Sequence, residues 1–172
     1  MKTVVLLYDT SCIYEIVILN YFLKVTGQDV VFVSPDGAPV TATEGYEIHV
    51  SGRLDSVAPE EVALCIIPGG EIGAVDTPEI WEYLRQVHAG KGRIAAICAG
   101  VDVLGHAGLL DGIASTHSED LDVVTSNRIT TSRPNGYVDF AIEVAKEMDL
   151  FEDEADLQET IAFWREFQRA ES

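Results

Sequence analysis

Ala96-Ile97-Cys98-Ala99-Gly100 closes the apolar run from Arg93 to Ile97 and opens a helical pattern through Leu104. A nucleophile on a sharp strand-to-helix turn, a nucleophile elbow, needs small neighbours two positions away on either side, because the tight turn brings backbone into the space of side chains. Ala96 and Gly100 meet that demand. The same turn puts the thiol at a helix N-terminus, where the positive end of the macrodipole favours thiolate. Cys98 therefore reads as a low-pKa nucleophile or redox centre. The plainer alternative is a small apolar residue that ends a buried strand, as free cysteine often does.

The elements that must position this thiol follow from the hydrophobic pattern. Short β-branched runs alternate with longer amphipathic segments, which predicts a doubly wound, mostly parallel sheet sandwiched by helices, a flavodoxin-like α/β fold. Strands are predicted over Thr3 to Leu7, Val30 to Val33, Val62 to Ile67 and Arg93 to Ile97, with a small hairpin or extra strand around Tyr46 to Val50. A hairpin is predicted from Val123 to Thr125 and Arg128 to Thr131. Helices are predicted over Ser11 to Val25, ending at Gly27, over Pro78 to Val87, after Cys98, over Gly136 to Met148 and over Glu154 to Arg169; Gly108 to Gly112 breaks the pattern. Phe163, Trp164 and Phe167 have helical spacing and are expected to pack against the core or a dimer partner. Cys65 belongs to the core.

In an open parallel sheet, ligands sit beyond the carboxyl ends of the strands, near the point where strand order reverses. Strand one runs into Asp9 and the helix carrying Glu15, the Val62 strand into Gly69-Gly70, and the Arg93 strand into Cys98. All three emerge at one edge. Cys12 lies three positions before Glu15, one helical turn earlier, so it is an accessory candidate that can face the same pocket and resolve an oxidised Cys98; a buried cysteine at a helix start is the plainer reading.

At 172 residues and 47% hydrophobic composition, the chain is expected to fold as a single domain over 1–172. Its net charge of -18, from 29 acidic against 11 basic residues, repels phosphate backbones and anionic membranes, so neither nucleic acid nor membrane is an expected partner. An odd count of three cysteines without CxxC spacing points to a reducing, cytoplasmic compartment. His49, His88 and His106 stand singly, so no metal site is expected, and without a P-loop or GxGxxG no nucleotide cofactor is expected either.

The run IAAICAGVDVLGHAGLLDG from Ile94 to Gly112, with Ile66-Ile67-Pro68-Gly69-Gly70, Ser115-Thr116-His117, Thr130-Thr131-Ser132-Arg133-Pro134 and Val138-Asp139-Phe140-Ala141, resembles the ThiJ/PfpI superfamily over roughly residues 1 to 150. This is a class I glutamine amidotransferase-like family that includes the Parkinson-disease protein deglycase and bacterial stress proteins. The resemblance implies that Cys98 is the family's elbow cysteine and Glu15 its buried acid, hydrogen-bonded to the sulfur. A carboxylate and a thiolate in contact repel, so such a pair shares one proton. The resemblance further implies that backbone amides of Gly69, Gly70 and Ala99 steady an oxyanion, that His117 lies close to the cysteine as a proton relay, and that Arg133 is accessory to the site. Protease-like members place histidine directly after the cysteine. Ala99 stands there instead, which argues against Cys-His-acid proteolysis.

Two functional readings result. One is a cofactor-free, cysteine-dependent stress enzyme, glyoxalase- or deglycase-like, that acts on small reactive carbonyls through Cys98 with Glu15 and works as a homodimer. The other is a non-enzymatic oxidative-stress sensor or chaperone-like protein in which Cys98 is oxidised to sulfinic acid.

Overall fold

Alternating apolar side chains along each strand bury both faces of one sheet. In the computed structural model, which describes residues 1–118 and 120–169, the strands are β1 (Lys2–Leu6), β2 (Val30–Ser34), β3 (Val40–Thr41), β4 (Glu47–Ile48), β5 (Gly52–Arg53), β6 (Val62–Ile67), β7 (Arg93–Ile97), β8 (Val123–Ser126) and β9 (Ile129–Ser132). The helices are α1 (Val17–Val25), α2 (Pro78–Ala89), α3 (Gly100–His106), α4 (Tyr137–Glu147) and α5 (Glu154–Arg165). Seven strands form the main sheet in the order β5-β2-β1-β6-β7-β9-β8, parallel except for β8. Strand order reverses between β1 and β6. Among the described residues no helix is long and apolar enough to cross a membrane.

Period-2 alternation sorts the strand residues by face. Val4, Leu6, Cys65, Ile67, Ile94 and Ala96 pack under α2 and α3 through Leu84, Val87, Val101 and Leu104. Val5, Leu7, Leu64, Ile66, Ala95 and Ile97 pack on the other face against α1 and α4 through Leu19, Leu23, Phe140 and Val144. Each fully buried Leu or Ile contributes roughly 1.5–3 kcal/mol. The predicted α/β architecture is therefore the observed one, with β6 and β7 starting and ending where their apolar runs do.

Two expectations are corrected, at the first and last helices, and one is met. The first helix does not begin at Ser11: a 3-10 turn, Ile13–Glu15, precedes α1, because Ile16 leaves helical geometry at φ -122°, ψ -3°. The region around Tyr46 makes both a hairpin and an extra strand, with β3 antiparallel to β4 and β5 extending the sheet beside β2. The last helix stops at Arg165 rather than Arg169, since Phe167 turns left-handed at φ 58° and the Gln168 N–H closes onto the Ala162 carbonyl at 3.0 Å. Only part of the aromatic trio expected there packs inward. Trp164 meets Phe22 edge-on at 5.8 Å, whereas Phe163 and Phe167 are 47% and 88% exposed.

Closely packed backbone makes Gly100 a sharp test of the elbow. A Cβ there would lie 2.5 Å from the Ile67 carbonyl and 2.8 Å from that of Pro68, neither of which can move aside, whereas a Cβ at Gly105 on the same helix meets nothing within 4 Å. Gly100→Ala is expected to cost about 1–3 kcal/mol, and Gly105→Ala to stabilise by about 0.5–1 kcal/mol. Urea denaturation of both variants checks the pair. Equal effects would contradict this packing.

Candidate active site at the carboxyl edge of the sheet

Cys98 holds φ 57°, the left-handed region that costs a non-glycine residue on the order of 1–3 kcal/mol. The surroundings over-determine it. Its N–H donates to the Ser132 carbonyl at 3.0 Å and its carbonyl accepts from the Val101 N–H at 3.2 Å. Ala96, fully buried on β7, and Gly100, pressed on the Pro68 turn, fill the two small positions that the motif predicts.

Glu15 and Gly69 converge on the sulfur. Glu15 is 1% exposed, carried inward by the 3-10 turn that precedes α1. Its Oε2 accepts from the Gly69 N–H at 2.6 Å and its Oε1 from the Tyr14 hydroxyl at 3.4 Å. A Cβ at position 69 would fall 2.7 Å from Cys98 Cβ, 2.8 Å from Cys98 Sγ and 2.8 Å from Glu15 Oε2. Glycine is therefore required here by space, and the Gly69 amide is committed to the carboxyl. Gly70, at φ +146°, packs its Cα against the Thr10 carbonyl, which a Cβ would approach to 2.5 Å.

Burial pushes the Glu15 carboxyl above the ordinary carboxylate range, although the Gly69 amide, Cys98 and Tyr14 oppose the rise. Burial and then the Glu15 charge push the Cys98 thiol up to about 11, with only the Ala99 amide lowering it. The expected helix-end activation is thus outweighed by burial first and by the Glu15 charge second. The thiol, as a hydrogen-bond donor, eases ionisation of Glu15, while an ionised Glu15 opposes ionisation of the thiol, so the pair resists carrying two negative charges. Burial alone raises Cys65 to about 12, which leaves it inert in the core.

The other predicted residues fall around this centre. Cys12 is half-buried, its N–H bonded to the Gly69 carbonyl at 2.9 Å and its Sγ 3.9 Å from the Thr10 carbonyl. Its thiol is raised by burial and then by Glu15, and it adds to the rise at Cys98. His117 Nε2 pairs with Asp102 Oδ1 at 3.4 Å, one helical turn beyond Cys98, and is 42% exposed. Arg133 is turned to the Asp120 carboxylate at 2.8 Å and the Leu121 carbonyl at 3.0 Å. Its neighbour Ser132 is what touches the elbow. Among the described residues no group of three or more His, Cys, Asp or Glu is placed to hold a metal ion.

Sequence reasoning passed over three supporting residues. Tyr8, buried at the end of β1, donates its hydroxyl to the Pro68 carbonyl at 2.7 Å and so fixes the turn that presents Gly69. Tyr14 is pushed up to about 12 by burial and then by Glu15, which keeps it a hydrogen-bond donor to that acid. Glu44, on the β3–β4 hairpin, accepts the Tyr14 N–H at 2.8 Å. Adjacency to Glu15 was the one available signal for Tyr14; nothing local pointed to Glu44, which lies far away in sequence.

A parallel sheet that offers a strained cysteine, a buried acid and a glycine turn at one carboxyl edge defines the class of cysteine-elbow α/β proteins. The sequence profile of the DJ-1/PfpI family matches residues 1–147, and the chain belongs to that family. Among its relatives, a deglycase of Thermococcus kodakarensis is 29% identical over 119 residues, covering 67% of this chain and 71% of that one. A glutathione-independent glyoxalase of Caenorhabditis elegans is 28% identical over 151 residues, covering 78% and 81%. The crystal structure of a DJ-1 superfamily protein from Agrobacterium tumefaciens aligns with a TM-score of 0.83 at 25% identity, covering 96% of this chain and 100% of that one. Oxidised DJ-1 of Toxoplasma gondii aligns with a TM-score of 0.79 at 25% identity, covering 94% and 96%.

The charge coupling has a direct signature. Because an ionised Glu15 raises Cys98, the rate of Cys98 alkylation by iodoacetamide in the wild type should keep climbing toward about pH 11. Glu15→Gln removes that opposing charge, so its rate should level off at lower pH, as read by peptide mass spectrometry. Coincident profiles would show that the two groups are not coupled.

Proposed function

We propose that this chain is a cofactor-free cysteine enzyme that acts on small reactive carbonyls, a reading supported by relatives named as a deglycase and a glutathione-independent glyoxalase. The observation that carries the reading is the Glu15–Gly69–Cys98 cluster, where a carboxyl and a sulfur both lie 2.8 Å from the point that a side chain at 69 would occupy. An acid in that position can both give and take a proton at whatever the sulfur attacks.

In this mechanism the pair reacts from the form with the charge on sulfur and the proton on Glu15, in exchange with the carboxylate–thiol form in which the thiol is raised. The Cys98 thiolate adds to the carbonyl carbon of a dicarbonyl, and the Glu15 proton passes to the resulting alkoxide to give a hemithioacetal. Amides of Gly70 and Ala99 steady the oxygen while charge develops on it, and Gly69 orients the acid. The Glu15 carboxylate then removes the proton from the thioacetal carbon, and the electron pair forms an enediol. Protonation at the adjacent carbon yields a thioester, and water releases a 2-hydroxy acid and regenerates the thiolate. One dicarbonyl and one water are consumed per product. His117, oriented by Asp102, is assigned the exchange of protons with solvent.

A second reading draws on the same cluster. The Ala99 amide and a protonated Glu15 are donors suited to sulfinate oxygens, so peroxide, reduced to water, can leave Cys98 as a stable sulfinic acid.

Cys98→Ser is expected to abolish turnover of methylglyoxal while leaving the fold intact, because an unassisted hydroxyl is scarcely ionised at neutral pH. His117→Ala should lower kcat by roughly 10². An unchanged rate would remove His117 from the reaction. If methylglyoxal, related carbonyls, amides and isonitriles are all consumed no faster than by Cys98→Ser, while peroxide still yields Cys98 sulfinic acid, the redox reading replaces the enzyme. In that case Glu15→Ala should alter the oxidised product seen by mass spectrometry.

A further inference from the structure

The hairpin between β3 and β4 is stitched to the loop that leads to Glu15. The Thr10 N–H donates to the Thr41 carbonyl and the Thr41 N–H to Asp9 Oδ1, both at 2.8 Å. The Thr43 N–H donates to the Ser11 carbonyl at 3.1 Å, and the Thr43 hydroxyl to the Thr10 carbonyl at 2.5 Å. Thr10 itself is held left-handed at φ 72°, and its hydroxyl accepts the Glu71 N–H at 2.7 Å. At the tip, a left-handed Gly45 at φ +88° turns the chain. That turn brings Glu44 back over the 3-10 turn, where its Oε1 accepts the N–H of Tyr14 at 2.8 Å.

We infer that Glu44 is a positioning residue for the Cys98–Glu15 pair: its carboxylate, anchored on the amide next to Glu15, biases the shared proton toward Glu15 and so raises the share of the pair with its negative charge on the sulfur. The inference deepens the proposed mechanism and rests on it for the roles of Cys98 and Glu15.

The geometry gives Glu44 an asymmetric reach. It is bonded to the residue adjoining Glu15, whereas Cys98 reaches that acid from a separate element, the elbow after β7, beside Gly69. The groups that face Glu15 are Tyr14 on its own turn, Cys98 from the elbow, the Gly69 amide from the β6 turn, and Glu44 from the hairpin. Glu15 in turn acts on Tyr8 from the end of β1 and on Cys12 from the preceding loop. No cation stands among them. Glu44 raises both Glu15 and Cys12, whereas the groups that act on Cys98 are Glu15, the Ala99 amide and Cys12. Burial opposes ionisation of Glu44 itself, but the amides of Tyr14 and Ile13 hold its carboxyl below the ordinary range, so it is charged at neutral pH. Among the described residues no Lys or Arg forms an ion pair with it.

The sign is definite. A fixed negative charge anchored on the residue beside Glu15, and acting on Glu15 rather than on Cys98, disfavours the state with carboxylate and thiol more than the state with carboxylic acid and thiolate. Removing that charge moves the proton from Glu15 toward sulfur. If Glu44 acted on the sulfur directly, its removal would do the opposite and favour thiolate.

The experiment measures alkylation of Cys98 by iodoacetamide, an uncharged reagent that is not steered by the protein field, across pH in the full-length protein. Glu44→Gln keeps a carbonyl oxygen for the Tyr14 N–H and removes only the charge. At pH 7 it should slow alkylation by roughly two- to fivefold, the scale of a partly exposed charge interaction, and the loss should shrink at high salt. Glu44→Ala, which also frees the Tyr14 amide, should lose more and lower Tm. In a Glu15→Gln background, Glu44→Gln should cause no slowing, because the group it acts through is gone. A folded Glu44→Gln protein that is alkylated as fast as wild type, or faster, overturns the role of Glu44 and leaves the nucleophile assignment standing. A wild-type Cys98 that resists iodoacetamide overturns both.

Discussion

A carboxyl and a thiol that share the space of one missing side chain resist carrying a second negative charge between them, and the site is organised around that constraint. Burial of Glu15 makes its ionisation costly, and the thiol beside it is costly to ionise for the same reason once the acid has lost its proton. The pair therefore behaves as a unit with a movable proton. This is the property a catalyst needs when it must donate to an alkoxide and then accept from the neighbouring carbon. It also suits a sulfur that is to be held in an oxidised form, since a neutral acid can donate to its oxygens. The two functional readings share the site because they share this charge.

Holding the pair in register requires strained backbone, and the strain is distributed over several anchored turns. Cys98 and Thr10 are both left-handed without being glycine, and each is tied down through its own peptide groups. The Pro68 turn is fixed from below by the Tyr8 hydroxyl and from the side by the Cys12 amide, so Gly69 meets both partners at once. Two hydrophobic layers on opposite faces of the sheet make these turns rigid, since β1, β6 and β7 are buried on both sides. The reactive edge is consequently a continuation of the core.

Electrostatics at this edge is shaped by acids. Glu15 and Asp102 flank the elbow, Glu44 caps the turn that carries Glu15, and the one basic residue in the neighbouring motif, Arg133, has its guanidinium on Asp120 and the Leu121 carbonyl. Backbone amides then become the principal donors available to an anionic intermediate. The short α3 adds little to them beyond the Ala99 amide. Helix-end activation of Cys98, reasonable from the motif, underestimated how strongly a buried neighbour opposes it.

The residues alone determined the architecture and pointed to the candidate groups of the site. Period-2 apolar runs can be satisfied only in a sheet covered on both faces, and a cysteine flanked by small residues two positions away on either side marks an elbow because the constraint is local and steric. Glu15 and Gly69 were legible through the order of strand ends at one edge and through family resemblance. Tertiary structure alone decided what those groups do to one another. The 3-10 turn that swings Glu15 inward is set by contacts with a hairpin some thirty residues away in sequence, which no helical periodicity records. The commitment of the Gly69 amide to the acid, the pairing of His117 with Asp102 and the opposition between two buried ionisable groups depend on distances of a few ångströms between separate elements. Charge interactions in a desolvated site vary steeply over such distances, so a sequence can name the titrating groups without giving the side on which the proton rests.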